Sequence, residues 1–317
     1  ISNFIASFIT FLLLLTVIIK NNSFSYNKEL IGELKRFSLP YLPAALASMA
    51  VQVINIPIMQ YLTDVKTVGI YNANYKLGIF MMLVVSMFEY AWRPFFLNNA
   101  KEPDAKALFA KVLTIFIGAA SVIFILLSFT IEDLIKIPFG SRGYIIGQKY
   151  WEGIYIVPII LLAYMFLGVY TNLLAGIYIE KKTKYLPFIT GLGAAINIVC
   201  GFTLIPVIGM IGGAIAVFMS YLSMAIYIYA VSQKFYPVKY ETGKILMLMV
   251  LNLIAFALFY VDFSLHIPIY LSIIIALILC TISVSISGLW KAKMLFAKKR
   301  ISNSNIPPPE PPTIIEI

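Results

Sequence analysis

The sequence predicts an all-α polytopic membrane protein with about nine transmembrane helices, and three observations lead there. Of its 317 residues, 61% are hydrophobic and only 12% charged, where soluble domains carry about 25% charged residues. Apolar runs of about 20 residues follow one another, the length that crosses a ~30 Å hydrocarbon core. Those runs lack the two-residue alternation of barrel strands, so helices are left to satisfy the backbone in lipid.

The spans fall at 4–19, 38–62, 68–97, 107–131, 153–179, 185–206, 209–232, 243–261 and 267–290. The chain opens on Ile1 and its first span starts almost at once at Phe4, as expected of a sequence missing its front end. Most connections are short; the longest are 20–37 and 132–152. In 20–37, Leu30, Ile31, Leu34 and Phe37 form a stripe at helical spacing, with Glu29, Glu33, Lys35 and Arg36 off it. That pattern reads as a short helix lying on the membrane face, with a plain connector as the alternative. Ser38 and Pro40 punctuate the start of the second span. After the last span, NIPPPEPPT reads as a disordered proline-rich tail.

Sidedness follows from where lysine and arginine sit. Eighteen of the 24 flank one side: Lys20, Lys28, Lys35, Arg36, Lys101, Lys106, Lys111, Lys181, Lys182, Lys184, Lys234, Lys239, Lys244, Lys291, Lys293, Lys298, Lys299 and Arg300. Four, Lys66, Lys136, Arg142 and Lys149, flank the other; Lys76 and Arg93 fall within a span. The lysine-rich side is expected to be cytoplasmic, with the C-terminus inside. The net charge of +10 is then a topology signal rather than a nucleic-acid footprint.

Little points to catalysis. Cys200 and Cys280 lie within spans and read as small buried hydrophobes. His266 is the one histidine, so a His-based metal or nucleophile site is not expected. Loop 132–152 is short and lacks the histidine of an outer catalytic loop. No catalytic residue, metal or cofactor is expected.

Packing signals cluster in spans six and seven. Gly191/Ala195, Gly209/Gly213 and Gly212/Ala216 are small pairs four apart, which let helix backbones approach closely in lipid. Pro57 and Pro94 lie within spans and Pro158 and Pro187 near span ends, where a lost hydrogen bond can bend a helix.

The third span carries the polar groups. Lys76 and Arg93 are 17 residues apart, about 25 Å along a helix. One reading has them snorkel to opposite interfaces, with Tyr71 and Tyr75 as an aromatic belt. A second makes them cavity groups: Asn72 and Lys76 share a helical face, and the preceding span adds Gln52, Asn55 and Gln60, all costly against lipid. A third is a buried structural pair. Glu89 and Arg93, four apart, can pair; Glu89 is equally a candidate for ion coupling and for a static bridge. Asn172 and Asn197 read as interhelical hydrogen-bonding amides. Lys181, Lys182 and Lys184 are either topology signals or attract anionic headgroups.

Residues 38–99, from SLPYLPAALASMAV through NIPIMQYLTDVKTVGIYNANYKLG to FFLNN, resemble the start of the second half of bacterial polysaccharide-biosynthesis flippases. That family shares a superfamily with lipid II flippases and with multidrug and toxin extrusion transporters. GIYIEKKTKYLPFITGLGAAINIVCGFTLIPVIGMIGGAIAVFMSY, at 176–221, is similar to a later element of the same family. The resemblance covers roughly 30–290. It implies two six-helix lobes facing a central cavity. Here 1–37 would be the last helix of the first lobe with an amphipathic linker, 38–232 the second lobe, 233–290 two additional helices, and 291–317 a basic, proline-rich cytoplasmic tail. Most of the first lobe would be missing.

By the same resemblance the activity is translocation of polyprenyl-pyrophosphate-linked oligosaccharide across the bacterial cytoplasmic membrane, for O-antigen, capsule or similar polysaccharide. Lys76 would be a cavity cation, alongside Asn72, Asn74, Asn55, Gln52 and Arg93. Many relatives carry an Asp-Arg pair where this chain has Asn55 and Ile56, so no role of that pair carries over. The implied partners are the lipid-linked oligosaccharide, membrane lipids, H+ or Na+, and the polysaccharide polymerase machinery, with no nucleic acid. A multidrug or cation antiporter, or a membrane polysaccharide polymerase or ligase, is the alternative.

Overall fold

The computed structural model describes residues 2–21, 28–138, 143–265 and 267–291. His266, Arg142, part of the 20–37 connection and nearly all of the C-terminal tail lie outside these, as do the side chains of Leu30, Glu33, Arg36 and Phe37. Twelve α-helices run α1 Ser2–Asn21, α2 Lys28–Ser38, α3 Tyr41–Val53, α4 Asn55–Leu62, α5 Val65–Tyr75, α6 Ile79–Asn99, α7 Ala105–Ile135, α8 Val157–Ile179, α9 Leu186–Ile208, α10 Met210–Phe235, α11 Thr242–Leu265 and α12 Ile269–Ser287. Among the described residues there is no strand, only an isolated bridge between Pro138 and Tyr144. Seven helices are long and apolar enough to cross a membrane, or eight counting the bent pair α3–α4 as one span. The first predicted span lies within α1.

α8 is the axis of the molecule. From Val157 to Ile177 nearly every side chain is buried, so it has no lipid-facing stripe. α10 packs along α8 and α9 packs along α10; α3 and α4 lean on α9, and α6 leans on α8. On the far side of α8, α7 carries α11 and α12. Outward faces stay apolar, with Phe188, Val207, Leu246, Leu253 and Leu277 all exposed, as lipid-facing helices require.

One predicted span is broken and another is locally tightened. The second bends by 43° at Ile54, between α3 and α4. Pro57 sits one turn on, and its missing N–H leaves the Val53 carbonyl without its helical partner. Two amides pin the bend: Asn197 Nδ2 donates to Val51 O at 2.7 Å and Asn55 Nδ2 to Gly213 O at 3.3 Å. The third span, 35 residues from Val65 to Asn99, tightens into a 3₁₀ turn at Lys76–Gly78. There the backbone presses on α8, since a Cβ on Gly78 would lie 2.5 Å from Ile160 Cγ2. Asp64 caps α5, accepting from the amides of Lys66 and Thr67. The Thr67 hydroxyl bond, with those amides, holds the Asp64 carboxyl below its ordinary value.

The small pairs of spans six and seven divide by role. Gly212 meets the α9 backbone, where a Cβ would come within 2.5 Å of Leu204 C, and Gly193 packs on Met224. Gly209 makes the turn between α9 and α10 at φ +57°, a conformation glycine adopts without strain. Gly191 faces open space, so the predicted Gly191/Ala195 contact does not form on the glycine side. Asn252 ties α11 to α7 through Ser121 Oγ at 2.8 Å.

The lysine-rich connections gather at one end of the bundle. An aromatic cluster there joins the end of α6 (Trp92, Phe96), the start of α7 (Phe109) and the turn after α10 (Tyr236), with Tyr178 of α8 against it. At the opposite end, Lys66 pairs with Glu152 at 2.9 Å and Lys136 stands over the Trp151 ring.

Candidate functional site: a groove between α3 and α6

α3 rests on α9 and α6 on α8, and α3 and α6 share no packed interface. α8, α10 and α9 form a continuous layer beneath them, and the strip of that layer flanked by α3 and α6 is the candidate groove. It closes toward the short Thr63–Asp64 connection, where α4 and α5 meet, and its other end lies at the lysine-rich end.

The rim at that end is built from three helices. On α6, Arg93 Nη2 donates to Glu89 Oε1 at 2.5 Å, one helical turn apart. Arg93 also stands over the Tyr178 ring of α8, 5.8 Å from its centroid, and Tyr41 of α3 reaches across to stack on the same ring at 5.9 Å. Tyr170 of α8 lies within the field of Tyr41, Glu89 and Arg93. The Arg93 side chain is 51% exposed. A guanidinium has five N–H donors in a rigid fork. With one donor on Glu89, Arg93 can offer others to an oxyanion; the Tyr178 ring beneath it is already stacked on both Tyr41 and Phe96, and Tyr170 is buried.

A second polar feature is buried. Tyr71 and Tyr75 of α5, Tyr164 of α8 and Tyr221 of α10 form a chain of rings with successive centroids 5.6, 6.2 and 6.1 Å apart. Tyr164 OH donates to Tyr75 OH at 3.1 Å. The Tyr71 hydroxyl lies beside the Asn55 amide, and among the described residues the Tyr221 hydroxyl has no hydrogen-bond partner. Tyr71 is therefore interior rather than part of an aromatic belt, and Tyr75 is fixed by Tyr164 instead of lying free at the interface.

The residues singled out in the sequence disperse over three environments. Glu89 and Arg93 pair on the groove rim, so the bridge is made. Lys76 is exposed at the 3₁₀ turn; Asn72 and Gln52 are half-buried. Asn55 is buried, committed through Nδ2 to α10. Asn74 is buried completely: its Nδ2 donates to Ile70 O at 2.9 Å and Tyr150 O at 2.8 Å, holding the segment before α8 against α5. Asn74 is thus a tether in the packed interior. Among the described residues, no side-chain hydrogen bond or ion pair joins Lys76, Asn72, Asn74, Asn55 and Gln52 to one another.

Lys181, Lys182 and Lys184 sit in the α8–α9 turn, where Lys181 takes φ +51° and Lys182 stands over the Phe235 ring. Asn197 makes the expected interhelical bond. Asn172 is met differently, as its backbone carbonyl accepts from Trp92 Nε1 at 3.1 Å. Sequence reading missed Tyr41, Tyr170 and Tyr178. Tyrosine is common in this chain, and only the placement of three helices gathers these three around Arg93.

The fold and this groove define an all-α, multi-pass membrane protein. No protein-family model matches the chain, and it has no match among the curated proteins or the solved structures.

Proposed function

We propose that this protein is a flippase for polyprenyl-pyrophosphate-linked oligosaccharide, acting in the bacterial cytoplasmic membrane with the lysine-rich end inside. The observation that carries the reading is the groove rim, an exposed guanidinium paired with a carboxylate and standing, with Tyr41, on the ring of Tyr178. A diphosphate wants a planar cationic fork. Sugars want hydroxyl partners and flat aromatic faces. The lipid tail can stay in the bilayer beside the groove. A groove joined at the α4–α5 end suits a substrate loaded from the lysine-rich side, and the bend at Ile54 and the 3₁₀ turn at Lys76–Gly78 are where its two walls can pivot. An ionisable side chain within a membrane span is a candidate for a transport path.

The test is leaflet transfer of a fluorescent polyprenyl-pyrophosphate oligosaccharide in proteoliposomes made with the full-length protein. Transfer above that of empty vesicles is expected. Transfer equal to empty vesicles refutes the assignment.

A further inference from the structure

On the other side of α8, a cavity of about 490 Å³ lies between α7, α8, α10 and α11. We propose that it holds one acyl chain of an anionic phospholipid, with Lys239 and Lys244 at its mouth binding the headgroup phosphate. Leu113, Ile117, Val169, Leu173 and Ala225 form the buried floor, and Ile226 and Leu246 are exposed at the opening. The lining is hydrocarbon apart from Thr242 and the tyrosines Tyr229 and Tyr240. The volume is within the range of ligand clefts, about 300–1,000 Å³.

Chemistry selects the occupant. A water molecule needs two to four polar partners, which this floor does not supply. Interiors are otherwise close-packed, and an unfilled apolar void forfeits dispersion contacts on all its walls. In a bilayer the neighbouring molecule at an opening such as Leu246 and Ile226 is an acyl chain. Charge at the mouth then selects the headgroup. Glu241 lies between the lining residues Tyr240 and Thr242, Lys244 pairs with it, Lys111 is near enough to act on its charge, and Lys239 is exposed just before Tyr240. The carboxylate nearby, Glu241, is engaged by Lys244 at 2.8 Å, so the mouth keeps an excess of ammonium groups. Basic groups of this kind attract anionic headgroups.

The inference stands apart from the flippase reading. α8 separates the two features, with Val169 and Leu173 toward the cavity and Tyr170 and Tyr178 toward the groove.

The experiment is native mass spectrometry of the full chain in mild detergent, titrated with phosphatidylglycerol or phosphatidylcholine of identical chains. A phosphatidylglycerol carrying an acyl-chain diazirine maps the site. Wild type is expected to bind one phosphatidylglycerol in preference to phosphatidylcholine, and the diazirine to label peptides within 166–173 and 222–249. The double variant Lys239→Gln, Lys244→Gln should lose about 25-fold in phosphatidylglycerol affinity, fivefold per lysine at about 1 kcal/mol each, and leave phosphatidylcholine unchanged. Ala225→Trp, which fills the floor, should abolish retention of both lipids. If that variant does not fold, the lysine variant and the labelled peptides decide the question alone. Equal binding of the two lipids by wild type, labelling elsewhere, or displacement of phosphatidylglycerol by equimolar polyprenyl phosphate overturns the proposal. None of these outcomes alters the leaflet-transfer result.

Discussion

Replacing Gly212 by alanine puts a methyl group where the backbone of the preceding helix already lies. The new Cβ would sit 2.5 Å from Leu204 C, 2.6 Å from Leu204 O and 2.7 Å from Ile205 N. Non-bonded carbons rest about 3.5–4.0 Å apart, so the shortfall is about 1 Å. A side chain in the way could change rotamer, but a helical backbone cannot, and α9 and α10 must part. Overpacking of this kind costs about 1–3 kcal/mol, and the upper half applies because the obstructing atoms are main chain. At about 2–4 °C per kcal/mol for a domain of 150–250 residues, the melting temperature in detergent should fall by roughly 4–12 °C. Gly191→Ala is the control. It lies on the same helix hairpin with nothing within 4 Å of the added methyl, and a substitution of that kind stays within about 0.5 kcal/mol. The assay is loss of the monodisperse peak on size-exclusion chromatography after graded heating. If Gly212→Ala melts with wild type and with Gly191→Ala, the α9–α10 approach described above is wrong.

Three other outcomes follow from the same coordinates. Arg93→Gln removes the groove's charge-assisted donor to phosphate, a loss of about 1.5–3 kcal/mol, so leaflet transfer of the lipid-linked oligosaccharide should drop about tenfold or more with melting unchanged; an unaltered rate removes Arg93 from the path. Burial acts to raise the pKa of Glu241, but hydrogen bonds from Lys244 and Thr114 and the field of Lys244 and Lys111 hold it below its ordinary 4.5. Its contribution is therefore full above that value and lost as pH falls through the folded pKa; Glu241→Gln should melt below wild type at pH 7 and converge with it near pH 3, and a gap independent of pH contradicts the assignment. Lys181 occupies the left-handed position of a turn closed by Lys182 N–H to Ile177 O at 2.9 Å, a place where glycine avoids a penalty of about 1–2 kcal/mol. Lys181→Gly should raise the melting temperature by a few degrees, and a fall would show that the lysine side chain matters more than its backbone strain.

Particular residues show where sequence reading reaches and where it stops. Leu30, Ile31, Leu34 and Phe37 announce α2 because helical periodicity is a local property, and α2 forms over Lys28–Ser38. Glu89 and Arg93 are partners at i,i+4, and a helix of any surroundings brings them together. Pro57 flags the bend at Ile54, though its position and 43° angle depend on Asn197 and Asn55 bonding to α3 and α10. Asn72 and Asn74 look alike in GIYNANYKLG, yet one is half-buried and the other a fully enclosed tether to Tyr150, 76 residues away. No local signal separates them, because the difference lies in what the opposite helix presents.

Composition and apolar run length alone determined that this chain is helical and crosses a membrane several times, because lipid forbids an unpaired backbone whatever the neighbouring helices do. Which faces meet was settled only in three dimensions. The groove of Tyr41, Arg93 and Tyr178, the buried tyrosine chain and the cavity behind α8 all join residues from helices far apart in sequence. In an environment where every side of a helix is apolar, hydrophobic patterning does not mark the inward face, and close packing between small residues and a few amides makes the choice.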